Sequence, residues 1–303
     1  MLVADVPKVT VDIAPVHSLV SKVMNGLGKP DLIIPAGASP HAYQLQPSNA
    51  KSIEDADIVF WVGEDLTPWL EKGLSSLAQD ASITPLLGVD GIELLSFREG
   101  ALFEAHDHDD HDDHGKKKHD DHDDHDDHDE HAHGDHDPHA WLSPQIAKVW
   151  LNVIAAKLSE ADPDNAAKYF SNAKMARDNM DSLVSEVNSI LDPIRDKKFV
   201  VFHDAYQYFE KDFGISASGA ISLGDASDPS PARLAEIRKR VVDEAVECVL
   251  AEPQYKQGLV KAVVEGTNAN TAVIDPLGVK LDSGPNLYEN LIRNLATNLA
   301  KCF

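Results

Sequence analysis

The chain has 303 residues, 43% hydrophobic and 26% charged, enough for roughly two globular domains. No run approaches the ~20 consecutive apolar residues of a membrane-spanning helix. Its 51 acids against 27 bases, a formal charge of −24, argue against a nucleic-acid partner, whose phosphates would be repelled.

From the N-terminus the pattern alternates short β-rich runs with amphipathic ones. Val9–Ile13 predicts a strand, His17–Asn25 a helix stopped at Gly26, and Asp31–Ile34 a second strand before the turn-rich stretch Pro35–Pro47. A helix over Ser48–Ala56, the apolar strand Ile58–Val62, a helix over Leu66–Gln79 and weaker strands at Ser82–Leu86 and Ile92–Leu95 follow. This is the rhythm of a parallel sheet covered by helices.

Glu104–Asp137 breaks it. These 34 residues hold 16 acids, 3 Lys and 11 of the chain's 15 His, namely His106, His108, His111, His114, His119, His122, His125, His128, His131, His133 and His136. With no side chain beyond Ala to bury, the segment is expected to be disordered without a ligand. Imidazoles flanked by carboxylates offer many adaptable, individually weak sites for divalent ions such as Zn²⁺.

Order is expected to resume at Pro138–Trp141. A helix over Pro144–Glu160 carries Ser143 as N-cap and proline at its first position. A second helix, Pro163–Leu191, is long enough at 1.5 Å per residue to reach about 43 Å, and reads as a strut between two lobes. The βα rhythm then repeats: strand Lys198–Phe202, helix Ala205–Phe213, strand Ile215–Ile221, helix Pro231–Glu244, strand Val246–Ala251, helix Gln257–Gly266, strand Thr271–Ile274 and helix Asn286–Lys301. The expected fold is α/β: an N-terminal lobe over 1–162 with the insertion 104–137, a linking helix over 163–191, and a C-terminal lobe over 192–303.

Four isolated polar residues fall at or beyond strand ends, where open α/β sheets bind ligands. His203 and Asp275 directly follow strands, His41 lies in the loop after the second strand, and His139 lies just before the helix at Pro144. Each alone reads more readily as a surface, half-buried or turn residue than as a ligand. Two come from each lobe, so facing lobes would bring three imidazoles and a carboxylate into one cleft, a set suited to Zn²⁺. Trp61, Trp69, Trp141 and Trp150 read as packing residues, with Trp141 beside the site, and His17 as surface or capping. The two Cys, Cys248 and Cys302, exclude thiolate zinc fingers and read either as free thiols or as one disulfide.

The local sequences Pro35-Ala-Gly-Ala-Ser-Pro-His41-Ala-Tyr-Gln-Leu-Gln-Pro47, Asp137-Pro-His139-Ala-Trp-Leu-Ser-Pro144, Phe202-His203-Asp-Ala-Tyr206 and Ile274-Asp275-Pro-Leu-Gly278 resemble the metal-site motifs of the cluster A-I solute-binding proteins. Within that family they are similar to the periplasmic zinc-binding components of high-affinity zinc ABC importers (the ZnuA type). The resemblance runs in order along nearly the whole chain. It implies two α/β lobes joined by a rigid helix, with His41, His139 and His203 as imidazole ligands and Asp275 as the carboxylate. Pro40 stands where some zinc members have a ligand Glu, which leaves Asp275 or water for the fourth place. The resemblance also implies a disulfide between Cys248 and Cys302, periplasmic location with the export signal absent from this sequence, and a monomer delivering Zn²⁺ as cargo to an inner-membrane permease and its ATPase.

Manganese-binding relatives typically have Glu at the position of His203, so the imidazole here favours zinc; a manganese carrier is the alternative reading, beside a zinc buffer or sensor without a transporter. A zinc hydrolase would need an open coordination position and a general base. No His-Glu-x-x-His pair occurs, and the protein is not expected to be an enzyme.

Overall fold

The computed structural model describes residues 6–98, 103, 136–222 and 229–303. The first lobe runs β1 (Val9–Val11), α1 (Ala14–Val23), β2 (Asp31–Leu32), α2 (Pro47–Glu54), β3 (Ile58–Trp61), α3 (Pro68–Leu77) and β4 (Ser82–Pro85). Two long helices follow, α4 (Pro144–Ala161) and α5 (Ala166–Leu191). The second lobe runs β5 (Phe199–His203), α6 (Gln207–Phe213), β6 (Ala220–Ser222), α7 (Pro231–Asp243), β7 (Cys248–Ala251), α8 (Gln257–Val264), β8 (Asn270–Val273) and α9 (Leu287–Ala300).

Both sheets are parallel and wound alike, in the orders β2-β1-β3-β4 and β6-β5-β7-β8. The central strands β1, β3, β5 and β7 are buried along their whole length, while the edge strands β4 and β8 are mostly exposed. This is why the central strands read as continuous apolar runs rather than alternating ones. In each lobe the winding direction reverses between two central strands, β1/β3 and β5/β7. Their carboxyl ends form the crevice where ligands bind in such sheets.

Ser143 and Ser230 cap α4 and α7, their hydroxyls accepting from the N–H groups of Ile146 (3.1 Å) and Arg233 (3.2 Å), each with proline at the next position. The long linking helix is a single 3₁₀ turn, Pro163–Asn165, running into the 26 residues of α5. Buried Asp162 shapes that entry by accepting from Asn165 Nδ2 and the Tyr169 hydroxyl. At 1.5 Å per residue α5 spans about 39 Å. It packs on α1 of the first lobe, on α4, on α6 of the second lobe and on α9. One apolar core runs through both lobes along it; a smaller cluster around Val200, Phe202, Ile237 and Val263 lies in the second lobe.

The last helix returns to the first lobe. Tyr288 N–H donates to Ser18 Oγ at 3.0 Å, Lys22 pairs with Glu289 at 2.5 Å, and the Tyr288 hydroxyl donates to Trp141 O at 2.8 Å. Cys302, just beyond α9, is disulfide-bonded to Cys248 at the start of β7.

Two expectations are corrected. Ile92–Leu95 forms no strand: β4 ends its sheet, and residues 92–98 run instead as a strap against α6, with one isolated bridge, Ser96 to His136. His17 lies inside α1 rather than capping it, its Nε2 3.1 Å from Pro30 O, and burial lowers its pKa. The histidines from His106 to His133, with the disorder expected of them, lie outside the described residues. His136 is described, with its Nδ1 3.9 Å from Asp65 Oδ2.

Candidate metal centre

His203 is the last residue of β5, and Glu252 directly follows the neighbouring β7. Because these strands flank the reversal point of their sheet, the two side chains meet there. His203 Nδ1 lies 2.7 Å from Glu252 Oε1, with His203 4% and Glu252 1% exposed. His139 has the same arrangement, its Nδ1 2.7 Å from Oδ1 of buried Asp137, which also accepts the His139 backbone N–H. A carboxylate oxygen accepts, so each Nδ1 is the donor, and in a neutral ring Nε2 is then the nitrogen with the lone pair.

Those two Nε2 atoms face each other at 3.4 Å. Two lone pairs at that distance repel unless a positive centre lies between them. Two nitrogens bound tetrahedrally to Zn²⁺ at its usual Zn–N length stand about 3.3–3.4 Å apart. The pair is thus spaced as two corners of a zinc tetrahedron, and the carboxylates behind it favour the tautomer that could ligate.

His41 sits on the short turn Pro40–Ala42 beyond β2, its ring centroid 5.4 Å from that of His139. Trp69 of α3 fixes this turn by donating from Nε1 to Pro40 O at 2.8 Å, and Tyr43 packs on Trp69. The three histidines line one cavity together with Ser39, Trp141, Glu252 and Tyr255. Its volume, about 20 Å³, has room for roughly one water-sized species, which suits a bare ion. Among the described residues, no set of three or more His, Cys, Asp or Glu is already drawn together tightly enough to hold a metal. The His41 and His203 rings lie at similar centroid distances from that of His139, 5.4 and 5.2 Å.

Asp275 lies on the adjacent loop after β8. Its Oδ1 accepts from the N–H groups of Leu277 (3.1 Å) and Gly278 (2.9 Å), and its Oδ2 from that of Val279 (2.6 Å). The carboxylate therefore caps its own turn, while its neighbours Pro276 and Leu277 line the cavity. Trp141 walls the site as expected: its ring packs 5.2 Å from His139, and its Nε1 donates to Pro276 O, tying the two halves of the cleft together. Trp61 and Trp150 are core residues, and Trp69 is partly buried against the core.

The zinc-uptake complex component A (periplasmic) family profile matches residues 9–302. The chain belongs to that family. It is 48% identical over 303 residues to the high-affinity zinc uptake system protein ZnuA of Brucella abortus (strain 2308), covering 97% of this chain and 91% of the relative. It is 46% identical to the protein of the same name from Paracoccus denitrificans (strain Pd 1222), covering 99% and 92%. A crystal structure titled as ZnuA superimposes with a TM-score of 0.78 at 21% identity, over 98% of this chain and 99% of that one, and shares the fold.

The fold puts the candidate ligands between two lobes. The sequence reading missed Asp137 and Glu252. Glu252 was within reach of it, as an acid immediately after the apolar run Val246–Ala251, by the rule that singled out His203. Asp137 stands two residues before His139 but was counted with the acidic insertion.

Proposed function

We propose that this protein captures Zn²⁺ with high affinity in the periplasm and hands it to the membrane permease of an ABC importer. The observation that carries this reading is the His139–His203 pair, held as lone-pair donors by buried carboxylates at the spacing of a zinc tetrahedron. Family membership and the names of the zinc-uptake relatives support it. His41, His139 and His203 supply three nitrogens. Asp275 completes the set once its loop releases the carboxylate; with the loop as it stands, water takes the fourth place. No chemical step is involved, and zinc is cargo.

Imidazole in place of carboxylate at His203 favours zinc over harder divalent ions. Because α5 and α9 brace both lobes, loading needs only a modest rearrangement at the cleft rather than a wide closure. The histidines of the insertion collect ions at weak sites and relay them to the cleft. No helix among the described residues is long and apolar enough to cross a membrane.

A competitive zinc titration on two variants tests this. Deleting Glu104–Asp135 is expected to leave one tight site. Changing His41, His139 and His203 together to Ala is expected to leave only weak, multiple sites. Loss of the tight site with the insertion would refute the proposal.

A further inference from the structure

The strap over residues 92–98 and the chain at His136–Asp137 form a neck on either side of the insertion. Asp137 N–H donates to Leu95 O at 2.8 Å, and Ser96 bridges His136. Helix α6 clasps this neck from the second lobe. The Tyr208 hydroxyl donates to Asp137 O and accepts from Leu95 N–H, while Gln207 Nε2 donates to Ser96 O and to Asp137 Oδ2. Asp137, which orients His139, is therefore itself oriented by the neck.

At the end of the strap, Arg98 enters the second lobe. Its Nε is 3.0 Å from both carboxylate oxygens of Asp204, and its Nη2 also bonds Asp204 Oδ1. Its Nη1 donates to Glu210 Oε2 at 2.8 Å and its Nη2 to Oε1 at 3.2 Å. Both carboxylates are buried, and the Phe103 ring lies 3.6 Å from the guanidinium carbon. Asp204 is the residue after His203, and Glu210 lies on the helix that clasps the neck. One side chain thus grips both the chain carrying the second-lobe imidazole and the helix holding the carboxylate behind the first-lobe imidazole.

We propose that Arg98 is a positioning residue for the metal pair: by clamping Asp204 and Glu210 together it sets the His139–His203 separation without touching the ion. The inference rests on the metal-site reading above. A planar five-donor guanidinium can bridge two carboxylates, whereas an ammonium is a point charge and cannot hold both in register. The clamp therefore depends on shape as well as on charge. A simple tether between lobes would give only stability, and the two roles part in experiment.

The test uses the full chain with Arg98→Lys, Arg98→Met and, as a structural control, Asn172→Ala. Asn172 donates to Val23 O and Asn25 O at the end of α1 away from the cleft, so its loss destabilises without reaching the ligands. Tight-site zinc affinity is measured by competition at a temperature where circular dichroism shows each variant folded. The visible absorption of the Co²⁺-loaded site is recorded alongside, against a His139→Ala/His203→Ala reference that subtracts the insertion. Arg98→Lys is expected to lose about tenfold in affinity, the low end for residues behind metal ligands, and to alter the Co²⁺ spectrum. Asn172→Ala is expected to lower Tm with affinity and spectrum unchanged. Wild-type affinity and spectrum in Arg98→Lys would overturn the proposal, as would an affinity loss in Asn172→Ala that tracks its Tm. If Arg98→Met fails to fold, Arg98→Lys decides. Survival of the tight site in the double His variant would instead overturn the metal-site reading, and this proposal with it, a result the Arg98 variants cannot produce.

Discussion

Nε2 of His139 and Nε2 of His203 stand 3.4 Å apart, on side chains 64 residues apart in sequence, each with its other ring nitrogen turned to a buried carboxylate. The relationship separates two jobs. In the proposed function the imidazoles meet the cation, while Asp137 and Glu252 set which ring nitrogen is turned towards it.

Glu252→Gln and Asp137→Asn are therefore expected to weaken zinc binding by roughly 10–100-fold each while leaving its stoichiometry unchanged. An amide can present its NH₂ group to the ring and reverse the tautomer, which a carboxylate cannot. Competitive titration with a chelator of known affinity checks this. Wild-type affinity in both variants would mean that the carboxylates do not set the tautomer.

Another buried carboxylate, Asp12, makes stability depend on pH. Asp12 follows β1 with no exposure to solvent, accepting from Ile13 N–H at 2.8 Å and Val62 N–H at 2.7 Å. Burial outweighs these hydrogen bonds and pushes its pKa from 3.8 up to about 7. In the folded protein Asp12 binds its proton more tightly than in the unfolded chain. Its contribution to stability is thus fully present below about pH 4 and is lost as pH rises through about 7. Relative to Asp12→Asn, which does not titrate, the metal-free protein is expected to lose stability across that window. Urea midpoints of both proteins at intervals from pH 4 to 8 measure the difference; parallel curves would count against it.

The Cys248–Cys302 bond closes a loop between residues 54 apart. Chain-entropy reasoning gives such a cross-link about 4 kcal/mol. It ties β7 to the chain beyond α9, whereas the cleft is assembled at the opposite, carboxyl ends of the strands. Cys248→Ser/Cys302→Ser is expected to lower Tm markedly and leave tight-site zinc affinity within about twofold. Calorimetry and zinc titration on the same samples separate the two effects.

Much of this was legible in the sequence. Central strands such as Ile58–Trp61 announce themselves because burial on both faces demands an unbroken apolar run, and Ser143-Pro144 and Ser230-Pro231 mark helix starts by capping chemistry. The strap over residues 92–98 was misread as a strand, because whether an extended segment pairs depends on a neighbouring edge that local pattern does not encode. The motifs around His41, His139 and His203 pointed to the cleft. The hydrogen bonds of Asp275 to its own turn were not foreseeable, because they are set by the path of a loop.

The sequence by itself determined the chain's α/β rhythm, the long helix between two sets of strands, and the imidazoles offered to a cation, since periodicity, capping and residue chemistry are local properties. Only the tertiary structure decided that Glu252 stands behind His203, that Arg98 joins Asp204 to Glu210, and that α9 returns to brace the first lobe. Those pairings join residues tens to hundreds of positions apart. Their geometry is fixed by how two sheets pack against shared helices, which no stretch of chain specifies alone.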